Sequence, residues 1–142
     1  MEPSINPNVL EPVTSGLREH PGIRYLGVEG EAVLLELTIG PEHMNLANTL
    51  HGGVIASLID IACALAARMA PGQDASPATP GTRGVATLSM SLNFVRAVRA
   101  GRVKVVGRRV SGGRRVVFAA ADVFDEESCL VANGSGCYAF RS

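Results

Sequence analysis

One carboxylate interrupts a long, otherwise apolar segment of the chain. Residues 52–67 read GGVIASLIDIACALAA, and Asp60 is the only charged residue among them. An ionised carboxylate is costly in apolar surroundings unless it is paired, hydrogen-bonded or placed at a wet cleft. Two interpretations are open. Asp60 lies at the edge of a helix and pairs with an arginine, or it belongs to a functional site, where perturbed ionisable groups cluster.

The start of the same segment carries a second chemical feature. The sequence His51-Gly52-Gly53 stands there, and the first N–H groups of a helix have no partner within the helix. Together with the positive end of the helix dipole, such donors suit an anion or an oxygen that gains negative charge during a reaction. The alternative is that the two glycines only permit a tight turn or close packing.

The separation of these two features restricts any shared chemistry. At a rise of ~1.5 Å per residue, Gly52 and Asp60 lie ~12 Å apart along one helix. A carboxylate at that distance cannot easily attack a carbonyl bound at the helix start. A catalytic interpretation therefore predicts that Asp60 acts with the glycines of another copy of the chain, in a dimer whose sites lie across its interface.

The apolar residues of this segment recur at helical spacing and predict one long helix over residues 52–69. Asn48 or Thr49 is its predicted N-cap, and Pro71-Gly72 is expected to end it. Because the helix is apolar nearly all round, we expect the rest of the fold to wrap it. The following residues, PGQDASPATPGTRG, are expected to form a loop.

The rest of the chain is predicted to be β-structure. The predicted strands are Ile23–Val28, Ala32–Ile39, Thr87–Val95, Arg102–Val110, Arg115–Phe124 and Cys129–Phe140. Strict alternation in the third of them places Leu88 on the apolar face and Thr87 on the opposite, polar face. Two strands, one helix and four strands, without βαβ alternation, predict an α+β fold with a mostly antiparallel sheet.

Length and composition restrict the class of protein. The chain of 142 residues suits one domain, expected over residues 21–142, with residues 1–20 as a loose N-terminal arm. With 13 basic and 13 acidic residues the chain has no net charge, whereas a nucleic-acid binder carries an excess of positive charge. No apolar run reaches the ~20 residues that a membrane span requires. The absence of a signal-peptide pattern and three cysteines without metal-ligand spacing lead us to expect a reduced, cytoplasmic setting.

One motif resembles the hotdog-fold thioesterases, and most closely the phenylacetate-degradation (PaaI-like) subgroup, which hydrolyses acyl-coenzyme A thioesters. The resemblance covers roughly residues 20–140, and the residues that carry it are Asn45, His51, Gly52, Gly53, Asp60, Thr87, Phe94 and Arg96. It implies a curved antiparallel sheet of about five to six strands around one central helix. It also implies a homodimer with two sites at its interface, and often a dimer of dimers, that is, a homotetramer.

The resemblance assigns roles to the central residues of this motif. Asp60 would be the general base or the nucleophile. The backbone N–H of Gly52 or Gly53 of the neighbouring subunit would polarise the thioester carbonyl. Thr87, early in the strand after the helix, would orient Asp60 or the attacking water.

Further residues receive supporting roles by the same resemblance. Asn45 would help to hold the water or the thioester, and His51 would shape the site without acid–base work. Arginine as a residue type suits phosphate recognition, so the nucleotide end of coenzyme A could bind at either of two clusters, which are Arg96, Arg99 and Arg102, or Arg108, Arg109, Arg114 and Arg115. We take Arg96 and Arg99 as the candidates. The alternative for each arginine is a solvated charge at the end of a hairpin.

These inferences predict an acyl-CoA thioesterase whose substrate already contains the coenzyme, so that no separate cofactor is expected. His43, His51 and Asp60 are not a persuasive set of metal ligands, and no metal is expected either. Three alternatives remain: an inactive acyl-CoA-binding protein of the same fold, a hotdog hydratase or dehydratase, and a structural module. The hydratase is disfavoured because that chemistry usually pairs a histidine with an acid, and the helix carries no histidine.

Overall fold

A computed structural model of the chain describes residues 22–69 and 84–141. Within them lie one long helix and six strands, besides a single 3-10 turn at Pro41–His43. In chain order the elements are β1 Ile23–Glu29, β2 Ala32–Thr38, α1 Gly52–Arg68, β3 Val85–Phe94, β4 Arg102–Gly112, β5 Val116–Phe124 and β6 Leu130–Phe140. The predicted α+β class and element order are confirmed. The predicted N-terminal arm and the loop after the helix lie outside the described residues.

The six strands form one sheet in the order β1-β2-β4-β5-β6-β3, and every neighbouring pair is antiparallel. The helix α1 contacts strands β2 to β6. The core lies between them, where alternate residues of β2 and β4 meet the buried side of the helix, among them Val33, Leu35, Leu37, Val103, Val105, Leu58, Ile59 and Ala62. Strands β1 and β3 are the two edges, and β3 therefore pairs only with β6.

Two glycines allow the helix to lie unusually close to the sheet. A Cβ atom at Gly107 of β4 would lie 2.7 Å from the backbone oxygen of Ala62. At Gly134 of β6, it would lie 3.1 Å from Cγ2 of Ile59. Both distances are shorter than ordinary van der Waals contact. At Gly107 the neighbour is helix backbone, so a side chain there would push the helix away, whereas at Gly134 a side chain would also meet Leu92 of β3, at 2.6 Å. The close approach of α1 to the sheet depends most on Gly107.

The helix begins differently from the prediction. Neither Asn48 nor Thr49 is the N-cap; His51 takes that place, and its Nδ1 accepts the N–H of Gly53. Asn48 instead adopts a left-handed conformation with φ 59°, which asparagine tolerates better than most residues. The hydroxyl of Thr49 bonds with the side chain of Asn45. The polar side chains of the loop before the helix thus bond to each other, and His51, two residues after Thr49, caps the helix.

The helix is also not wrapped on every side. Gly53 is exposed, and Ser57, Asp60 and Ala64 are half-buried. Their spacing of three to four residues places them along one side of α1. The sheet wraps the helix as predicted, and this one side stays accessible in the single chain. Asp60 is the one charged residue on this stripe, and it is only half-buried there.

Candidate active site

The carboxylate of Asp60 is held by two hydroxyl groups from different strands. Thr87 Oγ1 of β3 donates to Asp60 Oδ1 at 2.8 Å, and the hydroxyl of Tyr138 of β6 donates to the same oxygen at 3.1 Å. Within residues 22–69 and 84–141, no arginine lies within ion-pair distance of Asp60. Hydrogen bonds, not an ion pair, compensate this carboxylate on the apolar helix.

Thr87 reaches Asp60 because strand β3 contains a β-bulge. Thr87 pairs with Tyr138, whereas Ser89 pairs with Cys137, so Leu88 is an extra residue without a partner. The insertion turns Thr87 to the same side of the sheet as Met90, and it leaves Leu88 58% exposed. The predicted alternation, with Thr87 opposite the apolar face, is wrong at this point because a bulge shifts the period of two by one residue.

Tyr138 was not among the residues that sequence analysis selected. Its ring is fully buried, and a Cβ atom at Gly136 would lie 2.8 Å from it, so the glycine makes room for the ring. Burial raises the pKa of Tyr138 well above its ordinary value, and the charges of Cys63 and Asp60 add to the rise. The pair Gly136-x-Tyr138 on one face of a strand is the only local signal for this position.

The N-terminus of α1 presents one free donor. Gly53 N–H donates to His51 Nδ1 at 2.8 Å, and the N–H groups of Val54 and Ile55 donate to the carbonyl of His51. Gly52 N–H has no hydrogen-bond partner in the part of the chain that the structure describes. Of the two glycines that the sequence left as alternatives, Gly53 therefore has its N–H engaged by His51, whereas the N–H of Gly52 is free among the described residues.

An aromatic ring flanks this donor. A Cβ atom at Gly52 would lie 3.5 Å from Cε1 of Phe94, whose side chain is 57% exposed at the end of β3. The apolar ring restricts the space beside the helix terminus and is itself exposed to solvent in the single chain. Gly52 at the start of α1 and Phe94 at the end of β3, which are far apart in the sequence motif, are therefore neighbours in the structure.

Asn45 serves its own loop. Its Oδ1 accepts the N–H groups of Ala47 and Thr49, and its Nδ2 bonds to Thr49 Oγ1. This pattern is that of an Asx turn, in which a side chain replaces a backbone hydrogen bond. Its predicted contact with the water or the thioester stays a prediction.

The two arginines proposed for the nucleotide end of coenzyme A have protein partners. Arg96 lies 3.9 Å from a carboxylate oxygen of Asp125, and Arg99 donates to the carbonyl of Ala47 at 3.3 Å. Both side chains are exposed, so each retains free N–H groups. Their role in binding phosphate stays a prediction.

Neither a metal cluster nor a membrane helix is found among residues 22–69 and 84–141. No three side chains of His, Cys, Asp or Glu come together there as metal ligands do. The helix α1 is not long and apolar enough to cross a bilayer, and no other candidate helix occurs in that part of the chain.

Solved structures with the same fold include proteins named as thioesterases. A thioesterase from Haemophilus influenzae superposes with a TM-score of 0.78 at 21% identity, over 94% of this chain and 88% of that one. The Thioesterase Superfamily Member 2 of zebra fish gives 0.75 at 20%, over 97% and 100%. A mutant of the phenylacetic acid degradation protein PaaI from Thermus thermophilus gives 0.70 at 27%, over 92% and 99%. These similarities confirm the predicted hotdog fold.

The sequence leads to the same family independently of the coordinates. No curated protein matches the chain. A model of the thioesterase superfamily, however, matches residues 47–132, which is more than half of the chain and includes Gly52, Asp60 and Thr87. The similarity to PaaI agrees with the subgroup that the motif predicted. The chain belongs to the thioesterase superfamily.

Proposed function

We propose that this protein hydrolyses acyl-CoA thioesters to a free acid and coenzyme A, with Asp60 as the general base or the nucleophile. The observation that carries the proposal is the carboxylate itself. Asp60 is half-buried on a largely apolar helix and held through Oδ1 by Thr87 and Tyr138. Its Oδ2 has no partner among the described residues and is available to react.

Either chemical route uses the same atoms. As a general base, Oδ2 takes a proton from water while the water oxygen bonds to the thioester carbon; the C–S bond then breaks and coenzyme A leaves as a thiolate, which is protonated. As a nucleophile, Oδ2 bonds to that carbon and expels the thiolate, and water hydrolyses the resulting anhydride. In both routes the carbonyl oxygen becomes negative. The N–H of Gly52, at the positive end of the α1 dipole, suits that charge.

Two features support a homodimer that builds the site from both copies. Gly52 and Asp60 are ~12 Å apart along one helix, so one chain does not bring them to the same carbonyl. The edge strand β3 is ten residues long and pairs with β6 alone, which leaves a row of backbone groups for a second copy. Leu88 and Phe94 on this strand are 58% and 57% exposed. We propose a homodimer through this edge, assembled further into a dimer of dimers.

The biological setting is proposed from composition. Cys63, Cys129 and Cys137 are free thiols, as is usual in the reducing cytoplasm. The partner is a small acyl-CoA molecule. Since the Thermus relative is named for phenylacetic acid degradation, arylacyl-CoA thioesters are the first substrates to examine.

The proposal is tested by thiol release from a panel of arylacyl- and alkyl-CoA thioesters, with wild type and Asp60→Asn compared. The amide preserves the size of the side chain but cannot act as a base or a nucleophile. We expect a fall in turnover of ~10²-fold or more. Wild-type binding without turnover would favour the inactive acyl-CoA-binding protein. Equal turnover by the variant would exclude the aspartate mechanism.

The two-chain site has its own test. Gly52→Pro removes the backbone donor, and co-expression with Asp60→Asn gives hybrid dimers. One site of each hybrid then holds both lesions, while the other holds the intact Asp60 of one chain and the intact Gly52 of the other. Doubly tagged, purified hybrids are expected to recover about half of the wild-type activity. If each chain contains a whole site, the hybrids stay as inactive as their parents.

A further inference from the structure

Tyr138 forms its hydrogen bond with Asp60 from a position that is buried from solvent. It lies in β6, 78 residues away in sequence, and its side chain is fully buried. Gly136, two residues earlier on the same face, leaves the space that the ring fills. A buried hydroxyl needs a hydrogen-bond partner. For Tyr138 that partner is the carboxylate of Asp60.

The proton of Tyr138 is directed at Asp60. Its hydroxyl donates to Oδ1 at 3.1 Å. Burial raises the pKa of the phenol well above its ordinary value, so it remains a donor at neutral and mildly alkaline pH. Thr87 donates to the same oxygen. Both donors therefore lie on one carboxylate oxygen and none of the described residues donates to the other.

A buried thiol lies near this pair. Cys63, one helical turn after Asp60, is fully buried, and burial raises the pKa of its thiol to about 11, with a smaller contribution from the charge of Asp60. The thiol therefore stays uncharged at neutral pH. It does not compete, as a thiolate would, for the phenol proton that Tyr138 donates to Asp60.

We propose that Tyr138 is a positioning residue that locks the Asp60 carboxylate in one rotamer and selects Oδ2 as the reacting oxygen. The inference rests on the proposed thioesterase activity. Without the Tyr138 hydroxyl, Thr87 alone holds Oδ1, and the carboxylate can rotate about its terminal torsion, which has a broad energy minimum. The reacting oxygen then spends less time in the productive position.

The test removes only the hydroxyl. Tyr138→Phe keeps the ring that packs on Gly136, and Tyr25→Phe is the matched control, since Tyr25 is the only other tyrosine and lies in β1 away from the site. For Tyr138→Phe we expect kcat to fall about 10-fold to 100-fold, as for loss of a hydrogen bond to a charged group. KM is expected to stay within about twofold, since the substrate is not contacted. Tyr25→Phe is expected to match the wild type.

A double variant separates positioning from a structural effect. If Tyr138 acts through the Asp60 carboxylate, then Tyr138→Phe in the Asp60→Asn background lowers the residual rate no further. A merely structural residue would lower it by the same factor in both backgrounds, which would overturn the inference. So would a Tyr138→Phe variant with wild-type kcat while Asp60→Asn is inactive. No wild-type turnover, or an active Asp60→Asn, would instead overturn the proposed function.

A spectroscopic measurement covers the case in which Tyr138→Phe does not fold. The chain has no tryptophan and two tyrosines, so in a Tyr25→Phe background Tyr138 is the only source of tyrosine emission. A phenol that donates to a carboxylate is quenched, and Asp60→Asn in this background is expected to raise the emission. Unchanged emission on removal of the carboxylate would show that the bond is not formed, and the inference would fail.

Discussion

The hydroxyl of Thr87 donates to Asp60 across the gap between β3 and α1, although regular alternation of the strand would turn it away from the helix. The bulge at Leu88 produces this relationship, because it shifts the side-chain period by one residue. The bulge thus aligns the hydroxyl of Thr87 with the carboxylate. If this contact supports activity, residue 87 needs a hydroxyl group.

Thr87→Ser is expected to keep most of the activity, whereas Thr87→Val is expected to lower kcat about 10-fold. Serine preserves the donor to Oδ1, while valine keeps the shape of threonine without its hydroxyl. The measurement is steady-state hydrolysis of the best acyl-CoA substrate. Ser91→Ala, two positions beyond Ser89 on the polar side, is the control and should be silent. Equal rates for the serine and valine variants would contradict the proposed contact.

Gly52→Pro is expected to abolish most of the turnover, while Gly52→Ala retains it. Proline lacks the N–H but is well suited to the first position of a helix, and His51 has the extended conformation, φ −64° and ψ 133°, that a residue before proline requires. Alanine keeps the N–H, and its Cβ would make an ordinary contact of 3.5 Å with Phe94. Loss of one such donor costs about 10²-fold to 10³-fold in kcat. Equal activity of the two variants would exclude Gly52 N–H as the oxyanion donor.

Alkaline conditions are expected to destabilise the fold through Cys63. Burial raises the pKa of this thiol from 9.0 to about 11, so between these values the unfolded chain releases a proton that the folded chain retains. Its contribution to the free energy of unfolding is complete below pH 9 and is lost as the pH rises to 11, by about 2–3 kcal/mol at most. Tyr138, whose pKa is also raised by burial, acts in the same direction.

Urea unfolding at pH 8.5 and pH 11 measures this effect. Cys63→Ala is expected to lose less stability between the two values than the wild type, and Cys129→Ala, on a turn away from the helix, controls for removal of a thiol. A pH dependence that is identical in wild type and Cys63→Ala would show that this thiol is not responsible.

Gly107→Ala is expected to lower the free energy of unfolding by about 1–3 kcal/mol, because its Cβ would lie 2.7 Å from the backbone oxygen of Ala62. The helix must move for the methyl group to fit. Gly113→Ala is the control, since nothing lies within 4 Å of a Cβ atom there. Chemical denaturation of both variants makes the comparison. Equal stability would mean that α1 is not in close contact with β4.

Local patterns in the sequence were sufficient for the elements of this protein and for its candidate carboxylate. The 3.6-residue period predicted α1 to within a residue, and the single charge in an apolar segment selected Asp60 as a candidate before any coordinates. The order of strands and helix predicted the class of fold. These features depend on residues that are near each other in the chain, and burial of one face dictates their spacing.

Only the tertiary structure decided what surrounds Asp60. Thr87 and Tyr138 reach it over separations of 27 and 78 residues, and the chain pattern carries no signal for a bulge at Leu88 or for the pairing of β6 with β3. The sequence pattern also gave no signal for His51 as the N-cap. Thr49 is not the cap, because its side chain bonds to Asn45 within the loop. Long-range packing and hydrogen bonding select these partners, so they become visible only when the strands lie side by side.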